Sequence, residues 1–255
     1  MGKIIAVANQ KGGVGKTTTC VNLSACLADK GKRVLVVDID PQGNATSGLG
    51  RAGKPGATVY DVLIGQADAR AAVVSTGYGP LDLIPTDIAL AGAEIELVGI
   101  DDRESLLKQA LAPLKGDYDV IMVDCPPSLS LLTLNALTAA DSVLIPIQCE
   151  YYALEGVGQL MNTIRLMKKR LNPALTVEGI VLTMFDARTN LCAQVVDEVR
   201  THFPDEAFET MIPRNVRLSE APSYGVPIHL YDPRSTGAQA YRALAAELIK
   251  RMGKR

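Results

Sequence analysis

The run Lys11-Gly12-Gly13-Val14-Gly15-Lys16-Thr17-Thr18 carries the strongest chemical signal in this 255-residue chain. It follows an apolar stretch, Lys3–Ala8, and opens a helical one, Lys16–Lys30. Phosphate oxygens need many converging donors. Closely spaced glycines let successive backbone N–H groups point into one concavity. The following helix adds its positive N-terminal end. Lys16 then stands where it can reach β- and γ-phosphates, and Thr17 offers a hydroxyl to Mg²⁺. Strand, loop and helix occur in the required order, which argues against a chance glycine-rich turn.

Two further segments end in carboxylates. Val34-Leu35-Val36-Val37-Asp38-Ile39-Asp40 reads as a buried strand, and alternation puts Asp38 and Asp40 on one side. Strand C-termini are where open α/β sheets bind ligands. A carboxylate beside a γ-phosphate can position the attacking water or hold Mg²⁺ through water; the competing reading is a cap for the next turn. Val120-Ile121-Met122-Val123-Asp124 is a second apolar strand ending in aspartate, followed by Cys125-Pro126-Pro127-Ser128. Asp124 fits a group that contacts Mg²⁺ through water or through Thr17. The paired prolines stiffen the loop behind it.

These groups need a scaffold. Strands are expected at Lys3–Ala8, Arg33–Asp38, Leu81–Pro85, Asp119–Asp124, Ser142–Ile147 and Val177–Met184. All are continuous apolar runs, as in parallel strands covered on both faces. Helices are expected at Lys16–Lys30, Asp87–Val98, Ser105–Leu114, Leu131–Ala139, Ala153–Leu171, Ala193–His202 and Gly237–Met252. Strand–helix alternation predicts an α/β fold with a doubly wound, mostly parallel sheet flanked by helices. No linker or repeat interrupts it, so residues 1–255 read as a single domain. Gly50–Gly56 is expected to be a surface loop. With the first strand starting at residue 3, no DNA-reading module is expected ahead of it.

Composition excludes other classes. Hydrophobic residues make up 47%, but no run approaches the roughly 18 needed to span a bilayer. The N-terminus runs straight into the glycine loop, unlike a secretory signal, so a cytoplasmic location is expected. Cys20, Cys26, Cys125, Cys149 and Cys192 include no C-x-x-C pair, and His202 and His229 are far apart, which gives zinc and iron–sulfur sites little support. Net charge is −2, which alone argues against a nucleic-acid partner. It is unevenly spread: Arg165–Arg255 holds 14 basic and 10 acidic residues. That could be a basic face or ordinary solvated charge.

The glycine loop departs from G-x-x-x-x-G-K-[ST], because Gln10 stands where the first glycine belongs and a second lysine, Lys11, precedes the glycine pair. K-G-G-x-G-K-T is the deviant Walker A motif. The sequence resembles the ParA/MinD class of P-loop ATPases, most closely its ParA (Soj) branch. DIDPQGNATSGLG, VDCPPSLSLLTLNAL, VLTMFDARTNL and IPRNVRLSEAPSYGVPIHLYDPRSTGAQAYRALAAEL extend the likeness over nearly the whole chain.

The resemblance implies the P-loop NTPase fold, with ATP and Mg²⁺ as cofactors. It implies that Lys11 reaches across a homodimer interface to the partner's nucleotide, as an arginine finger would. Asp40 matches the residue linked to hydrolysis, and Asp38 lies near Mg²⁺. Adenine contacts fall at Met184–Asp186 and Pro213-Arg214-Asn215. The ATP dimer would bind double-stranded DNA without sequence preference through Arg188, Arg214, Arg217 and Arg234, with Lys250 and Arg251 behind them. Arg217 and Arg234 could instead pair with Glu220 or Asp232. A ParB-like centromere-binding protein would trigger hydrolysis, and the protein would associate with the nucleoid. The alternative is a MinD-like membrane switch, which needs a C-terminal amphipathic helix beyond the fold. Ala240–Met252 reads as the fold's own last helix, with only Gly253-Lys254-Arg255 after it, so no membrane partner is expected. A cluster protein like nitrogenase iron protein needs two cysteines at the dimer axis; Cys125 has no suitable companion.

Overall fold

Strands β1 (Lys3–Val7), β2 (Val34–Asp38), β4 (Leu81–Ile84), β5 (Val120–Asp124), β6 (Ser142–Gln148) and β7 (Thr176–Thr183) run parallel in one sheet. The short β3 (Val74–Ser75) adds antiparallel to β4 at one edge. The order is β3-β4-β2-β5-β1-β6-β7. This is a computed structural model, and it describes residues 2–53, 56–150 and 153–253. Lys54 and Pro55 of the expected Gly50–Gly56 loop, and Lys254 and Arg255, lie outside the described residues.

Alternation sorts the strand residues to two apolar layers. Ile4 and Ala6 of β1, Leu35 and Val37 of β2, and Ile121 and Val123 of β5 face one core. Ile5 and Val7, Val34 and Val36, and Val120 and Met122 face the other. That is why the strands read as unbroken apolar runs. The first layer is covered by α3 (Val59–Leu63), α4 (Leu90–Glu96), α5 (Leu106–Leu111), α6 (Leu131–Ala139), α7 (Ala153–Arg170) and α8 (Asn190–His202). The second is covered by α1 (Lys16–Asp29) and α11 (Thr236–Met252), with the short α2 (Asn44–Gly48), α9 (Val216–Glu220) and α10 (Ile228–Tyr231) around them. Helix α1 is buried on nearly every side, because the sheet, α2, α10 and α11 all touch it.

The expected strands are all present, with no end shifted by more than one residue. Four short helices, α2, α3, α9 and α10, and strand β3 lie outside the expected set. Each is five residues or fewer, too short to show a helical or alternating period. Helix α8 begins at Asn190 rather than Ala193, because Thr189 Oγ1 accepts the Cys192 N–H at 3.4 Å and starts the helix early. In α11 the Ser235 hydroxyl caps Ala238 N at 3.2 Å.

Strand β7 packs tightly against the segment leading to Phe208. A Cβ on Gly179 would lie 2.3 Å from Phe208 Cε2 and 2.7 Å from the Glu206 carbonyl oxygen. Gly179→Ala is therefore expected to lower stability by about 1–3 kcal/mol through overpacking. A thermal melt unchanged from the parent chain would show that this strand edge yields freely.

Candidate nucleotide site

The glycine loop leaves the C-terminal end of β1, beside the ends of β5 and β6. Asn9 anchors its start: Nδ2 donates to the Pro146 carbonyl at 2.8 Å, and Oδ1 accepts the Lys11 N–H at 3.0 Å. Gln10, the departure from the ordinary motif, reaches α7, where Nε2 donates to Thr163 Oγ1 at 3.0 Å. The Thr183 hydroxyl lies 2.9 Å from the Val14 carbonyl and 3.0 Å from that of Ile147, sharing its one proton between them. Gly13 and Gly15 have φ of 75° and 84°, which a side chain would strain. Gly12 differs: its φ is not left-handed, and a Cβ there would meet nothing within 4 Å among the described residues.

Lys16 is buried at the start of α1, and its Nζ donates to the Lys11 carbonyl at 3.1 Å. Burial lowers its pKa, while the negative charge of Asp124 and Asp40 works the other way. Asp124 ends β5 with no exposure. Among the described residues neither of its carboxylate oxygens has a partner in hydrogen-bond geometry. Burial pushes its carboxyl well above the usual range, Asp38 adds to the push, and the nearby Thr17 hydroxyl eases it. An orphaned buried carboxylate beside a threonine hydroxyl fits a Mg²⁺ position. Thr17 and Asp124 would hold the ion, which would neutralise charge on the transferring phosphoryl group.

Asp38 sits opposite Asp124 in the β2–β5 ladder, yet it is fully occupied. Its Oδ2 accepts the Thr46 N–H and hydroxyl, both at 2.7 Å, and its Oδ1 accepts the Asp40 N–H at 3.2 Å. Asp38 therefore organises the turn into α2, the capping alternative for this residue. Burial raises its carboxyl pKa and the Thr46 bonds restrain the rise. Asp40 is 6% exposed, accepts the Gln42 N–H at 3.0 Å, and is near enough to act on Lys16.

Met184, Pro213, Arg214 and Asn215 come together in a cavity of about 380 Å³ beside Gly15 and Thr18. The loops are locked by Phe185 N to Ile212 O and Arg214 N to Phe185 O, both 3.0 Å. Met184 takes φ 52°. The Asn215 side chain is spent on structure, capping Leu218 N at 3.3 Å and donating to Thr236 Oγ1 at 2.8 Å. Leu218, Pro222 and Tyr241 complete the wall. They come from the far end of the chain, within the stretch IPRNVRLSEAPSYGVPIHLYDPRSTGAQAYRALAAEL that carries the family likeness, though nothing in its pattern marks them as pocket residues. A second cavity of about 440 Å³ shares Thr18 and Pro222 and runs along α1 past Thr17 to Asn44 and Ser47.

The arginines lie apart from this pocket, except Arg214, and mostly have partners. Arg188 binds Asp186 at 2.6 Å and holds that carboxyl well below the usual range. Arg217 pairs with Glu220 at 2.7 Å and Asp232 at 3.6 Å. Exposed Arg234 has no ion pair for its guanidinium among the described residues. Arg251 is structural: it stacks on Phe208 at 4.0 Å, binds Glu247 at 2.9 Å and donates to the carbonyls of Asp205, Glu206 and Ala207.

A family model described as an AAA domain matches residues 2–177. The sporulation initiation inhibitor protein Soj of Bacillus subtilis is 63% identical over 249 residues, covering 97% of this chain and 98% of the relative. The chromosome partitioning protein ParA of Myxococcus xanthus is 56% identical, covering 98% and 89%. This chain belongs to the Soj/ParA family of partitioning ATPases. Among solved structures, cobyrinic acid a,c-diamide synthase of Mycobacterium smegmatis with bound ADP and magnesium superposes with a TM-score of 0.87 at 42% identity, over 99% of this chain and 96% of that one. The Pyrococcus furiosus cell division ATPase MinD gives 0.82 at 29% identity, over 98% and 99%. ATP and Mg²⁺ are thus the cofactors of this Soj/ParA ATPase.

Asp124→Asn separates stability from chemistry in this Soj/ParA protein. It replaces a carboxyl whose charged form burial disfavours with a neutral amide of the same shape, so the nucleotide-free protein is expected to be at least as stable as the parent while Mg²⁺-dependent hydrolysis is lost. A melt showing the variant less stable than the parent would mean that Asp124 is paired in solution.

Proposed function

We propose that this chain, acting as one ATPase domain, forms an ATP-bound face-to-face dimer that binds DNA without sequence preference and partitions it. A ParB-like partner stimulates hydrolysis, and the monomers leave the DNA. The observation that carries the reading is the rim around Lys11. Lys11, Gly12 and Gly13 are exposed at the C-terminal edge of the sheet, and the Lys11 amine lies out on Glu150 rather than among its own loop's donors. Ile88, 78% exposed, and Leu129, 48% exposed, are apolar residues on loops at the same edge. A second copy would bury them and bring Lys11 to its partner's phosphates, where a second cation stabilises the charge of phosphoryl transfer. Lys16, Thr17, Asp40 and Asp124 would supply the chemistry within each chain. Met184, Pro213 and Arg214 would enclose the adenine, and Asn215 would shape that pocket as a helix cap.

Arg188, Arg214, Arg217 and Arg234 are the proposed DNA contacts, on a nucleoid-associated protein. Exposed ion pairs of the Arg188 and Arg217 kind are worth only about 0–1 kcal/mol, so DNA phosphates can displace the carboxylates. Arg234 needs no such exchange. The membrane alternative is disfavoured, since Leu244 and Leu248 of α11 are fully buried in the core. No helix among the described residues is long and apolar enough to cross a membrane.

Binding to sequence-unrelated duplex DNA should occur with ATP, weaken with rising salt, and be absent with ADP or without nucleotide. Binding that ignores the nucleotide would sink the switch. Gly12→Val should bind ATP normally, because a Cβ there meets nothing within 4 Å among the described residues, yet remain monomeric by light scattering. An intact ATP dimer would remove Gly12 from the interface. Arg234→Ala should weaken DNA binding and flatten its log–log salt slope by about one for each phosphate it no longer neutralises; an unchanged slope would place the patch elsewhere.

A further inference from the structure

Both lysines of the phosphate loop are held by acceptors within the chain. Lys16 Nζ donates to the Lys11 carbonyl at 3.1 Å, and Lys11 Nζ donates to Glu150 Oε2 at 3.0 Å. Glu150 stands two residues beyond β6, and its own N–H donates to the Gln148 carbonyl at 2.8 Å. The backbone of Lys11 is fixed as well, through Asn9 Oδ1. One side chain of this chain therefore occupies the amine that the proposed dimer needs elsewhere.

We propose that Glu150 is a positioning residue that parks Lys11 in the monomer and sets the threshold for ATP-driven dimerisation. This rests on the reading of Lys11 as the group that crosses to the partner's nucleotide. To cross, Lys11 must leave Glu150, and the freed carboxylate then faces a surface that is gathering triphosphate charge. Both effects oppose closure in every chain, so a dimer breaks two such pairs. The Lys11 and Glu150 side chains are 41% and 46% exposed, so the pair is screened and individually weak. Weakness suits the role. A pair worth a large factor would block the dimer outright, whereas one exposed pair contributes roughly a 1.4- to 5-fold bias, and two multiply to about 2- to 25-fold.

The geometry also couples the two lysines. Nucleotide phosphates that draw Lys16 away from the Lys11 carbonyl release a bond on the residue whose side chain Glu150 holds. Loading of the loop and release of the latch thus act on the same residue, one at its carbonyl and the other at its amine.

The test is Glu150→Gln in the full chain, which keeps size and hydrogen-bonding capacity and removes the charge. The first readout uses no nucleotide: the rate at which a small amine-acylating reagent modifies Lys11, followed by peptide mass spectrometry. A faster rate in the variant supports an occupied latch, and an equal rate overturns it. The second readout is the monomer–dimer equilibrium by sedimentation with a non-hydrolysable ATP analogue. The variant should dimerise at a several-fold lower protein concentration, with the gap shrinking at high salt as the parent's ion pair is screened. Equal or weaker dimerisation of the variant overturns the threshold role. Faster acylation with no dimer in either chain would instead remove the dimer reading, and the threshold role with it. Glu150→Asp, with its shorter reach but retained charge, should fall between the two chains; behaviour matching Glu150→Gln would mean that charge alone is not what restrains Lys11.

Discussion

Two aspartates end neighbouring buried strands, with one buried lysine to balance them, and the rest of the site is arranged around that charge problem. Asp38 and Asp124 face each other in the β2–β5 ladder without solvent exposure. Asp38 is resolved locally, by three donors from Thr46 and Asp40. Asp124 is left without a hydrogen-bond partner among the described residues. Lys16 is itself desolvated and cannot offset it fully. A phosphate alone would worsen matters for Asp124, and a cation alone would worsen them for Lys16. Mg²⁺ and a nucleotide together serve both, which is why the site suits the pair.

The sheet order turns this into a site. β1 lies between β5 and β6, and β2 lies on the far side of β5. The glycine loop, the Asp40 turn and the Asp124 loop therefore emerge side by side at one edge, although residues 11, 40 and 124 are widely separated in the chain. That convergence was legible in outline. Continuous apolar runs marked the strands, alternation marked the double cover, and the glycine pattern marked the loop. The supports were not legible. Asn9 to Pro146, Gln10 to Thr163, Thr183 to Val14 and Thr19 to Tyr241 all join residues 137 to 222 positions apart. Such contacts follow from topology, and no local pattern encodes them. Helix α2 is similar: it is set by the Asp38–Thr46 bonds, a tertiary cap spanning eight positions in sequence.

Charge counting along the sequence showed where cations cluster and could not show which were committed. The basic excess after Arg165 includes Arg251, which belongs to the fold, and Arg188 and Arg217, which rest on carboxylates. Their partners Asp186, Glu220 and Glu247 are already among the ten acidic residues counted, so pairing leaves the net excess unchanged and concentrates it on cations such as Arg234. The surface's electrostatics depend on whether those carboxylates are displaced, and a polyanion offers many phosphates at once where a lone anion offers one. Under the proposed DNA-binding role, extended nucleic acid would be favoured over small anions, and doubling in a dimer would sharpen that preference.

The glycines of the loop divide by what they require. Gly13 and Gly15 hold left-handed conformations, so the chain's own backbone needs them. Gly12 does not, and it has open space around it. Its neighbour Lys11 has the same divided character, with a backbone that serves the intramolecular phosphate site and a side chain that lies out on the rim. The motif is therefore two devices joined at one peptide. The part from Gly13 to Thr17 is complete within a single chain. Lys11 and Gly12 gain a physical reason for their identities only when another backbone approaches them closely, as it does in the proposed dimer.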